Sequence, residues 1–167
     1  MKKVLLILTA VFVLFSYNTL AQHDHKHGEH KHDHDHGHNH ELKWHTNLED
    51  AQAEAAKTGK PLFVAFEGSD WCGYCIKLHK EILSKGDFIE YAAHNLVLVN
   101  IDFPRRKKLP AKQQTYNNDL AKKYKIQGYP TVVLMDKKGK EINRTGYLPN
   151  STPKDYVKHL KDLLAKK

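Results

Sequence analysis

Two cysteines form one Cys-x-x-Cys motif, at Cys72 and Cys75, and the 167-residue chain contains no others. An apolar run precedes the motif and a helical pattern follows it, so Cys72 lies where a predicted strand gives way to a predicted helix. The unpaired N–H groups and partial positive charge at a helix start stabilise a thiolate there. Cys75 shares one helix face with Leu78 and Ile82, and we expect it to be shielded. An accessible thiolate followed by a shielded thiol suits attack and then resolution in thiol–disulfide exchange.

Two other roles for the cysteine pair compete with redox chemistry. A structural disulfide across two intervening residues closes a loop too small to add much stability. A zinc site would need two more ligands from His45, His79, His94 or a histidine tract near the N-terminus, and none of these has motif spacing relative to the pair. His79 follows Cys75 by one helical turn and could approach the thiols, although histidine is more often a surface or packing residue.

Residues 22–40 form a histidine tract that holds nine of the thirteen histidines. The tract has no aliphatic or aromatic side chain to bury, which predicts a disordered segment. Imidazoles interleaved with carboxylates suit Zn²⁺, Cu²⁺ or Ni²⁺, in several exchangeable sites rather than one of fixed geometry. A solubilising linker is the simpler alternative. The candidate metal ligands are His23, His25, His27, His30, His32, His34, His36, His38 and His40.

The first 21 residues have the pattern of a secretory signal peptide. Lys2 and Lys3 precede an uncharged stretch over Val4–Phe15, and the segment ends at Ala21, where we expect cleavage. Twelve residues at ~1.5 Å each reach about 18 Å as a helix, short of the ~30 Å hydrocarbon core of a membrane. The sequence therefore predicts an exported protein, periplasmic or secreted, with no stable membrane span after cleavage.

Export changes the interpretation of the net charge of +8. A strongly basic cytoplasmic protein would suggest nucleic-acid binding. For an exported chain we exclude nucleic acid as a partner and attribute most of the charge to solvated lysines. A run of basic residues at Arg105–Lys108 is suited to docking an acidic partner, although such a run is usually a solvated loop.

Residues 41–167 have the composition of one globular domain. A capping box at Thr46–Glu49 predicts the first helix, and short apolar runs predict buried strands. Early strands separated by helices imply parallel pairing, and a later hairpin adds antiparallel strands. The pattern indicates an α/β domain with a mixed central sheet and helices on both faces. The predicted helices cover about 46–58, 72–85, 87–94, 114–124 and 153–165, and the predicted strands cover 62–66, 96–101, 131–135 and 141–145, with a charged loop over 103–113.

Two motifs carry a resemblance to a known family. Trp71-Cys72-Gly73-Tyr74-Cys75 follows an apolar strand, and Gly128-Tyr129-Pro130-Thr131 opens a later one. This pairing resembles the thioredoxin-like family, and in particular its exported members with a Gly-Ser-Asp-Trp-Cys-Gly-aromatic-Cys stretch. The resemblance covers roughly residues 43–166 and implies a thioredoxin fold.

The resemblance also implies roles for individual residues. Cys72 would be the nucleophile, Cys75 the resolving thiol, and Pro130 a cis-proline beside the disulfide. Members of the family need no cofactor for this redox chemistry. The residues that would contact the substrate are Trp71, Gly73, Tyr74, Tyr129, Pro130 and Thr131.

Two departures from thioredoxin bear on mechanism. The family's buried aspartate, which assists proton transfer from the resolving thiol, is replaced by Ala65. Glu67 lies nearby, and we expect it to point to the other face of a regular strand, so proton transfer at Cys75 would depend on water or on Glu67. Tyr74 stands where thioredoxin has proline. The two residues between the cysteines include no histidine, which favours a reductase over an oxidant.

The leading hypothesis is an extracytoplasmic thiol–disulfide oxidoreductase, with a preference for reduction, that acts on protein thiols or disulfides. It would require an upstream thiol–disulfide electron donor. The first rival is a transition-metal binding or delivery protein that uses the histidine tract and reduced thiols. The two could combine in a reductase that serves a metalloprotein client. A third hypothesis, a non-catalytic scaffold, is disfavoured by the intact cysteine pair.

Overall fold

The computed structural model describes residues 41–165. Within this range one sheet of five strands is combined with five α-helices, and a π-helical turn over His79–Leu83 extends the second helix. The strands are β1 (Trp44–His45), β2 (Leu62–Glu67), β3 (Val97–Asp102), β4 (Thr131–Met135) and β5 (Glu141–Thr145), and the helices are α1 (Leu48–Thr58), α2 (Gly73–Leu78), α3 (Gly86–Asn95), α4 (Ala111–Lys123) and α5 (Pro153–Ala165).

The sheet is mixed, with the strand order β1-β3-β2-β4-β5. Strand β3 is parallel to both β1 and β2, whereas β4 is antiparallel to β2 and β5. This is the predicted α/β arrangement and matches the thioredoxin fold. Strand β2 lies at the centre, and all six of its residues are buried, as its continuous apolar run predicted.

Helices cover both faces of the sheet because alternate residues of the central strands point to opposite sides. On one face Phe63 and Ala65 pack with residues of α2, the π-helical turn, α3 and α5. On the other face Leu62, Val64 and Phe66 pack with residues of α1 and α4. Strand β2 therefore packs between two apolar clusters, one on each face of the sheet.

Apart from shifts of one or two residues at several ends, the elements differ from the predictions at three places. Strand β1, of only two residues, was not predicted. The first helix begins at Leu48, and Asn47 caps it, accepting a hydrogen bond from the N–H of Asp50 at 2.9 Å. Helix α4 begins at Ala111 directly after Pro110, so the predicted charged loop is shorter. Proline fixes a backbone angle suited to a helix start, which explains the earlier beginning.

Strand pairing brings four loops to one edge of the sheet. Glu67 at the end of β2 is paired with Asp102 at the end of β3, so the segments that follow these two strands leave the sheet together. Thr131 at the start of β4 is paired with Phe66, and Thr145 at the end of β5 with Val132. Within the described range no helix is long and apolar enough to span a membrane.

Candidate active site

The two cysteines form a disulfide at the start of α2. Cys72 is the N-cap residue, and its Sγ accepts a hydrogen bond from the N–H of Cys75 at 3.2 Å. Gly68 directs its N–H to the Sγ of Cys75 at 3.5 Å. Cys75 is fully buried, as predicted, but Cys72 is only 6% exposed and is therefore less accessible than predicted. The solvent-accessible part of the disulfide is on the side of Cys72.

The chain before β4 lies against the disulfide. The Tyr129–Pro130 peptide bond is cis, as the resemblance implied. The carbonyl oxygen of Tyr129 lies 3.5 Å from the Sγ of Cys72. Thr131 donates its hydroxyl hydrogen to the carbonyl of Gly128 at 2.8 Å, which fixes the turn around the proline.

The aromatic residues next to the cysteines in the chain each make a ring contact with another part of the structure. The ring of Tyr129 lies between those of Trp71 and Phe103, with centroid distances of 5.9 Å and 5.1 Å. Tyr74 is 59% exposed, and its ring stacks on Tyr147 at a centroid distance of 5.7 Å. The structure thus brings the predicted residues Trp71 and Tyr129 together, whereas Tyr74 packs on Tyr147. The predicted residue Gly73 is exposed as well, with open space around it.

Glu67 was predicted to point to the face opposite Ala65, and this prediction was wrong. Side chains two residues apart in a strand point to the same face, and Glu67 faces the layer that contains α2. It is buried, and its Oε2 lies 2.7 Å from the Nε2 of His79 in the π-helical turn. His79 therefore makes its close contact with this carboxylate. The hydrogen bond that His79 makes to the Glu67 carboxylate raises the pKa of His79, and burial of the imidazole opposes that rise.

Within residues 41–165, no three His, Cys, Asp or Glu side chains are placed to share a metal ion. His45 contacts Glu54, with its Nε2 2.9 Å from Oε2, and the His94 ring contacts the backbone carbonyl of Glu90. The zinc-site alternative for the cysteine pair therefore has no support in this part of the chain. The predicted signal peptide and the histidine tract lie outside the described residues.

Three features of the site were not predicted from the sequence. Gly68 lies directly beneath the indole of Trp71, where a Cβ atom would be 2.4 Å from the ring. Tyr147 reaches the site from the segment after β5. Arg105 places its guanidinium 3.7 Å from the centroid of the Trp71 ring. The basic run in the sequence gave some indication of Arg105. The positions of Gly68 and Tyr147 depend on tertiary packing, so no sequence pattern marks them.

Comparisons with known proteins agree with this geometry. The family model described as a thioredoxin-like domain matches residues 48–161 of the sequence. The chain is 35% identical over 123 residues to the disulfide bond reductase DsbH of Chlamydia pneumoniae, covering 74% of this chain and 73% of that protein. It is 31% identical over 111 residues to the thioredoxin-related protein DsbJ of the same organism, covering 66% of this chain but only 32% of that protein.

Solved structures show the same fold. A structure titled DsbH Oxidoreductase superposes with a TM-score of 0.69 at 34% identity, covering 75% of this chain and 86% of that one. A thioredoxin from Thermus thermophilus superposes with a TM-score of 0.55 at 22% identity, covering 75% and 88% of the two chains. The second similarity bears on the fold alone. With the geometry of the cysteine pair, these matches show that the chain belongs to the thioredoxin-like family and is a thiol–disulfide oxidoreductase whose redox centre is its Cys-x-x-Cys pair.

Proposed function

We propose that the chain is an exported reductase of protein disulfides. The observation that carries this proposal is the disulfide at the start of α2, with the Sγ of Cys72 3.5 Å from the backbone carbonyl of Tyr129. A substrate segment beside that carbonyl would present its own sulfur to Cys72. The likeness to the reductase DsbH supports reduction as the direction of the reaction, as does the absence of histidine between the cysteines. The cysteines carry the electrons, so the reaction needs no separate cofactor.

The reaction begins from the dithiol form of the pair. The Cys72 thiolate attacks one sulfur of the substrate disulfide, forms a mixed disulfide, and releases the other substrate sulfur as a thiolate that takes up a proton. The N–H of Cys75, 3.2 Å from the Cys72 sulfur, stabilises the negative charge before the attack. The position of Cys72 at the helix start stabilises the thiolate in the same sense.

The second step releases the substrate. Cys75 loses its proton and attacks the Sγ of Cys72, which forms the enzyme disulfide and expels the second substrate thiolate. Two electrons pass from the enzyme to the substrate, and an upstream dithiol donor must restore the pair. We assign the proton of Cys75 to Glu67, a buried carboxylate on the same face of β2 as Ala65, the position of the family's buried aspartate. His79, 42% exposed, connects that carboxylate to solvent.

Binding of the substrate uses the surface around the disulfide. An extended segment can form backbone hydrogen bonds beside Tyr129 and the cis-proline Pro130, with Thr131 holding the turn. The exposed Tyr74 and the ring of Trp71 offer apolar contact on either side of Cys72. We assign substrate contact to these five residues and to Gly73, where the absence of a side chain leaves the disulfide open to the substrate.

Reduction of insulin with dithiothreitol as electron donor tests the proposal. The wild type should accelerate precipitation of the insulin B chain, and Cys72→Ser should abolish this acceleration. Cys75→Ser, reduced beforehand and mixed with insulin after removal of dithiothreitol, should retain the attack and accumulate a mixed disulfide, which non-reducing electrophoresis would detect. Glu54→Gln, a substitution on α1, serves as the control and should reduce insulin normally. Unchanged insulin reduction by Cys72→Ser would refute the proposed function.

A further inference from the structure

The segment after β3 is fixed to the residues that directly precede the disulfide. Ser69 donates hydrogen bonds from its N–H and its hydroxyl to the carboxylate of Asp102, at 2.9 Å and 2.7 Å. The indole N–H of Trp71 donates to the carbonyl of Phe103 at 2.7 Å. The segment is thereby held in a fixed position next to Cys72.

Asp70 anchors the basic part of the same segment. Its carboxylate accepts hydrogen bonds from the backbone N–H groups of Arg105, Arg106 and Lys107, at 2.9 Å, 2.8 Å and 3.1 Å. These N–H groups, first among them that of Arg105, lower the pKa of Asp70. Asp70 accepts these hydrogen bonds from backbone N–H groups, and Arg105, Arg106 and Lys107 are exposed, with the guanidinium of Arg105 on the ring of Trp71. Three consecutive residues before Cys72 thus fix the basic segment, which is unusual for a simple solvated loop.

Two neighbouring cavities beside this segment together form a groove that reaches Tyr129. The first has a volume of about 320 Å³ and lies between the basic segment and the start of α4. The second has a volume of about 530 Å³ and extends along the end of α4 to Tyr129. Phe103 and Asn118 line both cavities, so the two are adjacent. The groove therefore ends at the residue whose carbonyl contacts Cys72.

The groove is strongly positive. Among the described residues that line it, Asp102 is the only acid, and Ser69 already occupies both of its carboxylate oxygens. The rings of Phe103 and Tyr129 add apolar surface near the disulfide. The basic residues that line the groove are Arg105, Lys107, Lys108, Lys122 and Lys125.

We propose that this groove binds an acidic polypeptide segment next to the substrate disulfide, so that the enzyme prefers substrates with Asp or Glu near the reacting cysteine. This inference rests on the proposed reductase function and deepens it. The groove favours a polypeptide over a small anion, because it extends from the basic segment to Tyr129, the residue whose carbonyl contacts Cys72, so an extended chain could reach from one to the other. Complementary charge raises the association rate and fixes the register of binding.

The test compares two disulfide-containing peptides that are identical except for their flanking residues. One carries Asp and Glu beside the disulfide, and the other carries Asn and Gln. With dithiothreitol as donor at low salt, the wild type should show a kcat/KM about tenfold higher for the acidic peptide. The difference should lie mainly in KM and should shrink at about 0.5 M salt, because salt screens exposed charges.

A charge-neutralised variant and a matched control complete the experiment. Lys107→Gln/Lys108→Gln/Lys122→Gln removes three groove charges, leaves Arg105 on Trp71, and should bring the ratio of the two kcat/KM values close to one. Lys137→Gln/Lys138→Gln/Lys140→Gln removes the same charge from the turn at the far end of β4 and should preserve the wild-type ratio. Circular dichroism would confirm that both variants fold.

The inference and the reductase function fail in different ways. Equal reduction of both peptides by the wild type would overturn the groove proposal and leave the function intact. A ratio that survives the groove substitutions would also overturn it. Equal reduction together with binding to phosphatidylglycerol vesicles would assign the groove to a membrane surface. Failure to reduce either peptide would contradict the function itself.

Discussion

Glu67, buried to 1% exposure at the end of the central strand, lies with its Oε2 2.7 Å from the Nε2 of His79. The acid comes from β2 and the histidine from the π-helical turn, so the contact fastens the helix that carries the cysteines to the sheet. π-helical turns often occur at functional sites. Glu67 directly precedes Gly68, whose backbone N–H contacts the Cys75 sulfur. The glutamate–histidine pair therefore lies close to the cysteines in the chain.

This pair predicts how stability depends on pH. The hydrogen bond to the Glu67 carboxylate, together with the negative charges of Glu67 and Asp102, raises the pKa of His79 above its ordinary value. The contact therefore stabilises the fold fully below about pH 6.5, the pKa of histidine in the unfolded chain. This stabilisation is lost as the pH rises through the higher pKa of His79 in the folded protein. Urea unfolding should show wild-type stability falling in this window, and His79→Gln should flatten the change.

His94→Gln, at an exposed histidine of α3, is the control and should keep the wild-type dependence. Stability of the wild type that stays constant across this window would contradict the account.

A second prediction concerns the resolving step. Glu67→Gln keeps a similar shape but removes the proton acceptor that we assign to Cys75. General bases contribute about 10²-fold or more to the steps they assist, so the mixed disulfide should accumulate in acid-quenched single turnovers. Glu54→Gln also disrupts a glutamate–histidine contact, with His45, and should show no accumulation. If Glu67→Gln resolves at the wild-type rate, water takes the proton instead.

The glycine beneath Trp71 gives a third prediction. A Cβ atom at Gly68 would lie 2.4 Å from the indole, so Gly68→Ala must displace Trp71 and break its hydrogen bond to Phe103. Overpacking of this kind typically costs about 1–3 kcal/mol. Urea unfolding should show this loss together with a lower kcat/KM for peptide disulfides. Gly128→Ala, where a Cβ would meet nothing within 4 Å, should change stability by less than about 0.5 kcal/mol. Equal stability of the two variants would contradict the packing argument.

The histidine tract gives a fourth prediction, which rests on composition alone. Nine histidines among residues 22–40 should bind Zn²⁺, Cu²⁺ or Ni²⁺ in competition with a chelator. Binding should weaken below about pH 6.5, as the imidazoles become protonated. Deletion of 22–40 should abolish metal uptake and leave insulin reduction unchanged. Equal uptake by the deleted and full-length chains would refute metal binding by the tract.

Local patterns were sufficient to predict most of the fold. The apolar run that became β2, the helix after Cys72 and the proline motif before β4 each carry their information within a few residues. Strand β1 was missed because two residues give no periodic pattern, and its position depends on pairing with Leu98 and Val99. The start of α4 was placed three residues late because Pro110 was assigned to a loop.

The site was predictable only where sequence motifs mark it. The cysteine pair and Pro130 were identified from their motifs. In contrast, the stacking of Tyr74 on Tyr147 joins residues 73 positions apart, and the anchoring of the basic segment by Asp70 joins residues 35 to 37 positions apart. No local pattern encodes such contacts. The side of the sheet to which Glu67 points was knowable from strand alternation, and it was assigned incorrectly.

The reduction potential of the Cys72–Cys75 pair tests the central claim most directly. The purified protein would be equilibrated with glutathione buffers of defined ratio, and its free thiols would be trapped and counted. The account predicts a reversible two-electron equilibrium nearer to the thioredoxin value of about −270 mV than to the value of about −120 mV typical of a strong oxidant. A potential near about −120 mV would contradict the reductase assignment, and thiols that never equilibrate with glutathione would contradict redox function altogether.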